Sequence, residues 1–102
     1  MKSLSQLRAD LTAGAFDFSY HAFRRSVERD ISEREIREAG ENLVVIEQYP
    51  DDKYGPTVLL LGFTESGRPL HIQVSVTESP QARIVTLYEP DKDEWQDYAR
   101  RR

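Results

Sequence analysis

The spacing of apolar residues changes from a helical period to a strand period at Gly40, and that change restricts the fold more than any other feature of the chain. Before it, Leu4, Leu7 and Leu11 recur at i, i+3 and i+7, which predicts an amphipathic helix within Met1 to Thr12 that Gly14 stops. Ser19 is the expected N-cap of a second helix running to about Arg29. Ser32 and Glu35 have the spacing of a capping box, and Ile31 and Ile36 that of a hydrophobic staple. A third helix therefore runs to Ala39, with Gly40 as its left-handed stop.

After Gly40 the chain reads as strands. Leu43 to Tyr49 is rich in β-branched and aromatic residues, and Pro50, Asp51 and Asp52 end it. Thr57 to Phe63 is apolar on both faces, as a central strand would be. Gly67 turns the chain into Leu70 to Val76, where Leu70, Ile72, Val74 and Val76 alternate with His71, Gln73 and Ser75. In the last strand Val85 and Leu87 are expected on one face, and Ile84, Thr86 and Tyr88 on the other. Asp91 and Glu94 repeat the capping-box spacing, so a short terminal helix is expected to bring Trp95 and Tyr98 back to the body. The final Arg100, Arg101 and Arg102 read as a frayed, solvated tail. The predicted fold is α+β: three N-terminal helices packed on a four-stranded antiparallel sheet, with a short C-terminal helix.

A chain of 102 residues suits one domain, and 38% apolar with 31% charged residues suits a globular rather than a disordered one. The absence of cysteine removes disulfides and thiolate metal sites. No stretch approaches the roughly 18 apolar residues of a membrane span, and MKSLSQLRAD lacks the apolar block of a secretory signal. The expected compartment is the cytoplasm, with no membrane partner. Glu89, Asp91, Asp93, Glu94 and Asp97 stand against Lys92, so this segment accounts for the whole formal charge of −4. Phe18 to Arg37 instead holds five arginines and four acids, a local excess of positive charge.

That cationic excess coincides with the predicted second helix, whose Tyr20, Phe23, Val27 and Ile31 form an expected core stripe. His21, Arg25 and Arg29 follow one another along its other side. Further motifs recur downstream: Ile46-Glu47-Gln48-Tyr49-Pro50, Pro69-Leu70-His71 and Thr86-Leu87-Tyr88-Glu89-Pro90 before Trp95. Together with Ser19-Tyr20-His21-Ala22, these resemble the bacterial family of domain of unknown function 4258 over roughly Phe18 to Trp95. That family is similar to the RelE-like and BrnT-like toxin folds, many of them small metal-independent ribonucleases restrained by an antitoxin. The resemblance places an HA-x2-R-x3-R motif on His21, Ala22, Arg25 and Arg29, a PLH motif on His71, and a T-x-Y motif on Thr86 and Tyr88.

Cleavage of RNA by its own 2′-hydroxyl needs a base, an acid for the leaving oxygen and cations for the charge that develops on phosphorus. His21 suits base or acid near neutral pH, Arg25 and Arg29 suit phosphate, and His71 or Tyr88 suits the complementary proton transfer. Arg24, Gln73 and Thr86 are the accompanying substrate-contact candidates. No cofactor or metal is expected: two histidines without cysteine make a poor zinc site, and there is no phosphate-cradling glycine loop. The expected partners are RNA or ribosome-bound mRNA, and an antitoxin protein.

Each assignment has a structural competitor. His21 can bond backbone or a carboxylate, Arg25 can pair with Glu28, and Arg29 can satisfy the last carbonyls of its helix. His71, Thr86 and Tyr88 can be packing residues on a polar sheet face, and Trp95 and Tyr98 core closure. The competing function is a non-catalytic protein-interaction module, which an acidic chain favours because RNA binders usually carry a basic footprint.

Overall fold

A computed structural model describes Met1–Arg102. Helices α1 (Leu4–Thr12), α2 (Tyr20–Glu28) and α3 (Glu33–Gly40) come first, with a short strand β1 (Phe16–Phe18) between α1 and α2. Strands β2 (Val44–Tyr49), β3 (Thr57–Phe63), β4 (Pro69–Ser75) and β5 (Ala82–Tyr88) follow, and β6 (Trp95–Gln96) and β7 (Arg100–Arg101) close the chain. No helix is long and apolar enough to cross a membrane.

The helix starts obey their local chemistry. Ser19 Oγ accepts from the Ala22 amide at 3.0 Å. Ser32 and Glu35 form both bonds of the capping box, and Ile31 and Ile36 are buried as the staple requires. Helix α1 has a capping box of its own on Ser3 and Gln6. The alternating face of β4 is buried from Leu70 to Val76 and packs with Leu7, Leu11, Ile36 and Ala39 of the helices.

The sheet differs from expectation. It has five strands in the order β1-β5-β4-β3-β2, and β1 runs parallel to β5, pairing Phe16 with Ala82 and Phe18 with Ile84. The expected four-stranded antiparallel sheet is therefore a five-stranded mixed one. Phe16-Asp17-Phe18 is too short to show a strand period in the sequence, and only β5 as a partner makes it one.

The C-terminal helix is also absent. Asp91 does cap a turn, accepting from the Asp93 amide at 2.8 Å, but the helical bonds stop after Glu94 and Trp95. Asp97 and Tyr98 then both take positive φ, which reverses the chain into a β6–β7 hairpin instead of continuing a helix. Trp95 is 2% exposed in this arrangement, a burial that outweighs local helix preference. The terminal arginines do not form a frayed tail: Arg101 stacks on Trp95 at 4.6 Å, and Arg102 Nε donates to the Lys92 carbonyl at 2.7 Å.

Three finer expectations need correction. Tyr20, Phe23 and Val27 are 78%, 55% and 67% exposed, while Ala22 and Ser26 face inward. The small side chains let α2 lie against the β5 edge, where Ser19 N and Oγ donate to the Ile84 and Val85 carbonyls and Arg29 Nη1 to that of Leu87. Those bonds set the rotation of the helix. In β5 the register shifts between Ile84 and Thr86, so Ile84 and Leu87 both enter the core and the simple alternation fails at Val85. Gly40 is not left-handed but the last residue of α3, with Glu41 after it still right-handed; a Cβ at Gly40 would meet Leu11 Cβ and Thr12 N at 3.0 Å, so close packing of α1 on α3 explains its place.

Candidate functional site

The sequence candidates separate into two groups. On α2, His21 is exposed and makes no hydrogen bond, one residue inside the first turn that Ser19 caps. It shares a cleft of 140 Å³ with Tyr20, Arg24 and Arg25. Arg25 Nη1 donates to Glu28 at 2.7 Å, and Arg24 Nη2 reaches the same carboxylate at 3.5 Å. The hydrogen bond from Arg25 is the main reason that the Glu28 carboxyl sits below its ordinary pKa. The cleft thus holds one free imidazole, one phenol and two guanidiniums that share a single counter-ion.

His71 and Tyr88 lie on the sheet face away from the helices, paired across β4 and β5. His71 is 0% exposed, with the Trp95 ring edge-on at 4.5 Å. Its Nε2 lies 2.5 Å from the Tyr98 carbonyl oxygen, which can only accept, so Nε2 carries the proton. Nδ1 then accepts from the Tyr88 hydroxyl at 3.2 Å. Burial pushes the His71 pKa down and that of Tyr88 up, so both groups are held neutral. Arg29 lies 5.8 Å from the Tyr88 ring centroid and joins this group rather than that of His21.

Gln73 and Thr86 pair on the same sheet face, farther along. Gln73 Nε2 donates to Asp52 Oδ2 at 3.1 Å and to Thr57 Oγ1 at 2.9 Å, and Thr57 Oγ1 donates to Asp52 at 2.7 Å. No three His, Asp or Glu side chains converge as metal ligands.

Residues 18–89 match the family model described as Domain of unknown function (DUF4258). The chain belongs to this family. No curated protein and no solved structure matches it. The DUF4258 region begins at the end of β1, takes in both groups of candidate residues and stops one residue after β5. The turn and hairpin from Pro90 onward therefore lie outside the DUF4258 region while covering its His71 and Tyr88.

Sequence reasoning missed two features of the DUF4258 domain. Arg68 ties the end of α2 to the sheet, donating to the Arg29 and Asp30 carbonyls at 2.9 and 2.7 Å, to Glu35 at 3.0 Å and to Glu89 at 2.7 Å. Those carbonyls are presented because Asp30, at φ 52°, closes α2 with Ile31 N donating to Ser26 O and Asp30 N to Val27 O, as in a Schellman motif. Only the position of Arg68 between a turn glycine and Pro69 hinted at this. Glu47 was the other: it pairs with Arg101 at 2.9 and 3.2 Å and accepts from Tyr49. Burial alone would raise the Glu47 pKa, but the bonds from Arg101 and Tyr49 together hold it low.

Proposed function

We propose that the α2 surface binds single-stranded RNA and cleaves it through the 2′-hydroxyl without a metal ion, in the manner of RelE-like toxins. The observation that carries this reading is the shared cleft of His21, Tyr20, Arg24 and Arg25, with Phe23 exposed beside it. His21 takes the 2′-hydroxyl proton, and Tyr20, the only hydroxyl lining the cleft, serves the leaving 5′-oxygen. Arg24 and Arg25 hold the phosphate, and Phe23 offers a base a face to stack on. Arg29 is committed to the Leu87 carbonyl and holds α2 in place. His71, Tyr88, Gln73 and Thr86 support the sheet beneath it.

Induced expression with mapping of RNA 5′ ends tests the reading, because it also detects cleavage that requires the ribosome. Growth arrest with new ends is expected, along with chelator-resistant cleavage by the purified protein. Normal growth with no new ends overturns it.

Glu28 neutralises the two cations that phosphate needs. Glu28→Gln is therefore expected to tighten binding of a short single-stranded RNA severalfold at low salt and to steepen its salt dependence. Fluorescence anisotropy over a salt series checks this; unchanged affinity removes Arg24 and Arg25 from the phosphate site.

A second reading follows from a different observation. Tyr20, Phe23 and Val27 expose an apolar stripe over two helical turns, longer than the cleft uses. A protein partner of antitoxin type, laid along α2, would cover that stripe and block His21 together.

A further inference from the structure

The β6–β7 hairpin is attached to the domain unlike any other strand pair. No backbone hydrogen bond joins it to the five-stranded sheet; its ladder is internal, from Trp95 with Arg101 to Gln96 with Arg100. Four side-chain contacts hold it: Trp95 on His71, Arg101 on Glu47, Tyr98 against Phe63 at 6.2 Å, and the His71 Nε2 bond to the Tyr98 carbonyl. Tyr98 and Asp97 hold positive φ, a conformation that side-chain-bearing residues adopt at a cost. His71 is thus at the centre of the attachment, and it is the one group there whose ordinary pKa lies in the physiological range.

We propose that the hairpin is a pH-sensitive cover, closed over the polar sheet face while His71 is neutral and released when His71 takes up a proton. In the closed state Nε2 already donates to the Tyr98 carbonyl and Nδ1 accepts the Tyr88 proton. A second proton on the ring removes the acceptor of the Tyr88 hydroxyl, which must turn its own proton away and accept from Nδ1 instead. Burial is the largest influence on His71 and disfavours its charged form; the Tyr98 carbonyl and, on β2, the Glu47 carboxylate favour that form, the latter while engaged by Arg101 and Tyr49, and on β7 the Arg101 guanidinium opposes it, so that burial prevails. Its neighbour on β5 is the neutral Tyr88, on β6 the apolar Trp95, and on β3 the register partner is Leu61. Opening lets water solvate the charge. The sign follows from linkage. Burial lowers the His71 pKa in the closed state, so the open state binds more protons and is favoured as pH falls below the ordinary histidine value of about 6.5. The opening equilibrium shifts by up to about tenfold per pH unit. What opening uncovers is His71, Tyr88, Glu47 and Tyr49, a polar floor inside the family region.

Trp95 is the only tryptophan and reports on the cover directly. In the full chain, its emission is expected to shift to the red and become more quenchable by acrylamide from pH 8 to pH 5, with far-ultraviolet circular dichroism retained. His71→Gln, which keeps an N–H for the Tyr98 carbonyl but cannot titrate, is expected to abolish the shift. Should that variant fail to fold, Glu47→Gln supplies an independent reading: it weakens the Arg101 attachment while leaving Arg101 on Trp95, so the emission shift should begin at a higher pH than in the wild type, and an unmoved transition counts against the cover. Constant Trp95 emission across this range overturns the proposal. So does an equal shift in folded His71→Gln, or loss of circular dichroism in step with the emission change, which would mean global unfolding.

Discussion

Replacing His21 with alanine should lower the rate of RNA cleavage by about 10²–10⁴-fold, the usual contribution of a positioned acid or base. The fold should be untouched. His21 is exposed and free of hydrogen bonds, so its removal orphans no buried group, and alanine is the better helix former at that position. Arg25→Ala should also lower cleavage but leave the dependence on pH intact, because it removes charge stabilisation and not a proton carrier. Single-turnover rates over a pH series, with thermal melts of both variants, make the comparison. A folded His21→Ala protein that keeps a tenth or more of the wild-type rate would take proton transfer away from this residue. The exposed stripe of Tyr20, Phe23 and Val27 would then favour the partner-binding reading.

Gly62→Ala should have the largest effect on stability. A Cβ at Gly62 would lie 2.5 Å from the Ala39 carbonyl oxygen and 3.0 Å from the Ala39 carbonyl carbon and Cβ. Two of these three atoms are backbone near the end of α3, so no side-chain rotation relieves the clash and α3 must move off β3. Loss of about 2–3 kcal/mol is expected. For a chain of 102 residues this corresponds to a fall in Tm of roughly 10–20 °C. Gly67→Ala is the informative contrast. Gly67 has φ 88° and nothing within 4 Å of its Cβ position, so alanine there bears only the conformational cost of about 1–2 kcal/mol. Melts of both variants separate close approach from backbone strain. A Gly62→Ala protein as stable as wild type would show that α3 and β3 adjust at little cost.

Elements whose signals lie within a few residues were legible in the sequence. The capping box of Ser32 and Glu35, the staple of Ile31 and Ile36 and the Ser19 cap are set by groups near one another in the chain, and the inward face of β4 is marked by its own two-residue apolar period. Each occurs as its spacing predicts. The family was legible as well from short motifs in order along roughly Phe18 to Trp95, and the match covers residues 18–89 of that span. Among the candidate residues, their presence on α2 and on the far sheet face could be read, but their division into two groups could not.

What tertiary structure decided depends on partners far along the chain. The apolar residues of α2 suggested one inward face, yet Ser19 and Arg29 bond carbonyls 66 and 58 residues away and turn Ala22 and Ser26 inward instead. The side chains with the most apolar surface therefore face outward, next to His21. Phe16–Phe18 becomes a strand only beside β5, and Asp91 begins a hairpin because Trp95 and Arg101 find His71 and Glu47. Where the helices start and which face of β4 is apolar could be read from the residues alone, because cap bonds span only three residues and the two-residue apolar period is carried by the strand itself. The rotation of α2, the fifth strand and the cover over His71 were left to the folded chain, because each is decided by burial and hydrogen bonds that exist only once distant segments meet.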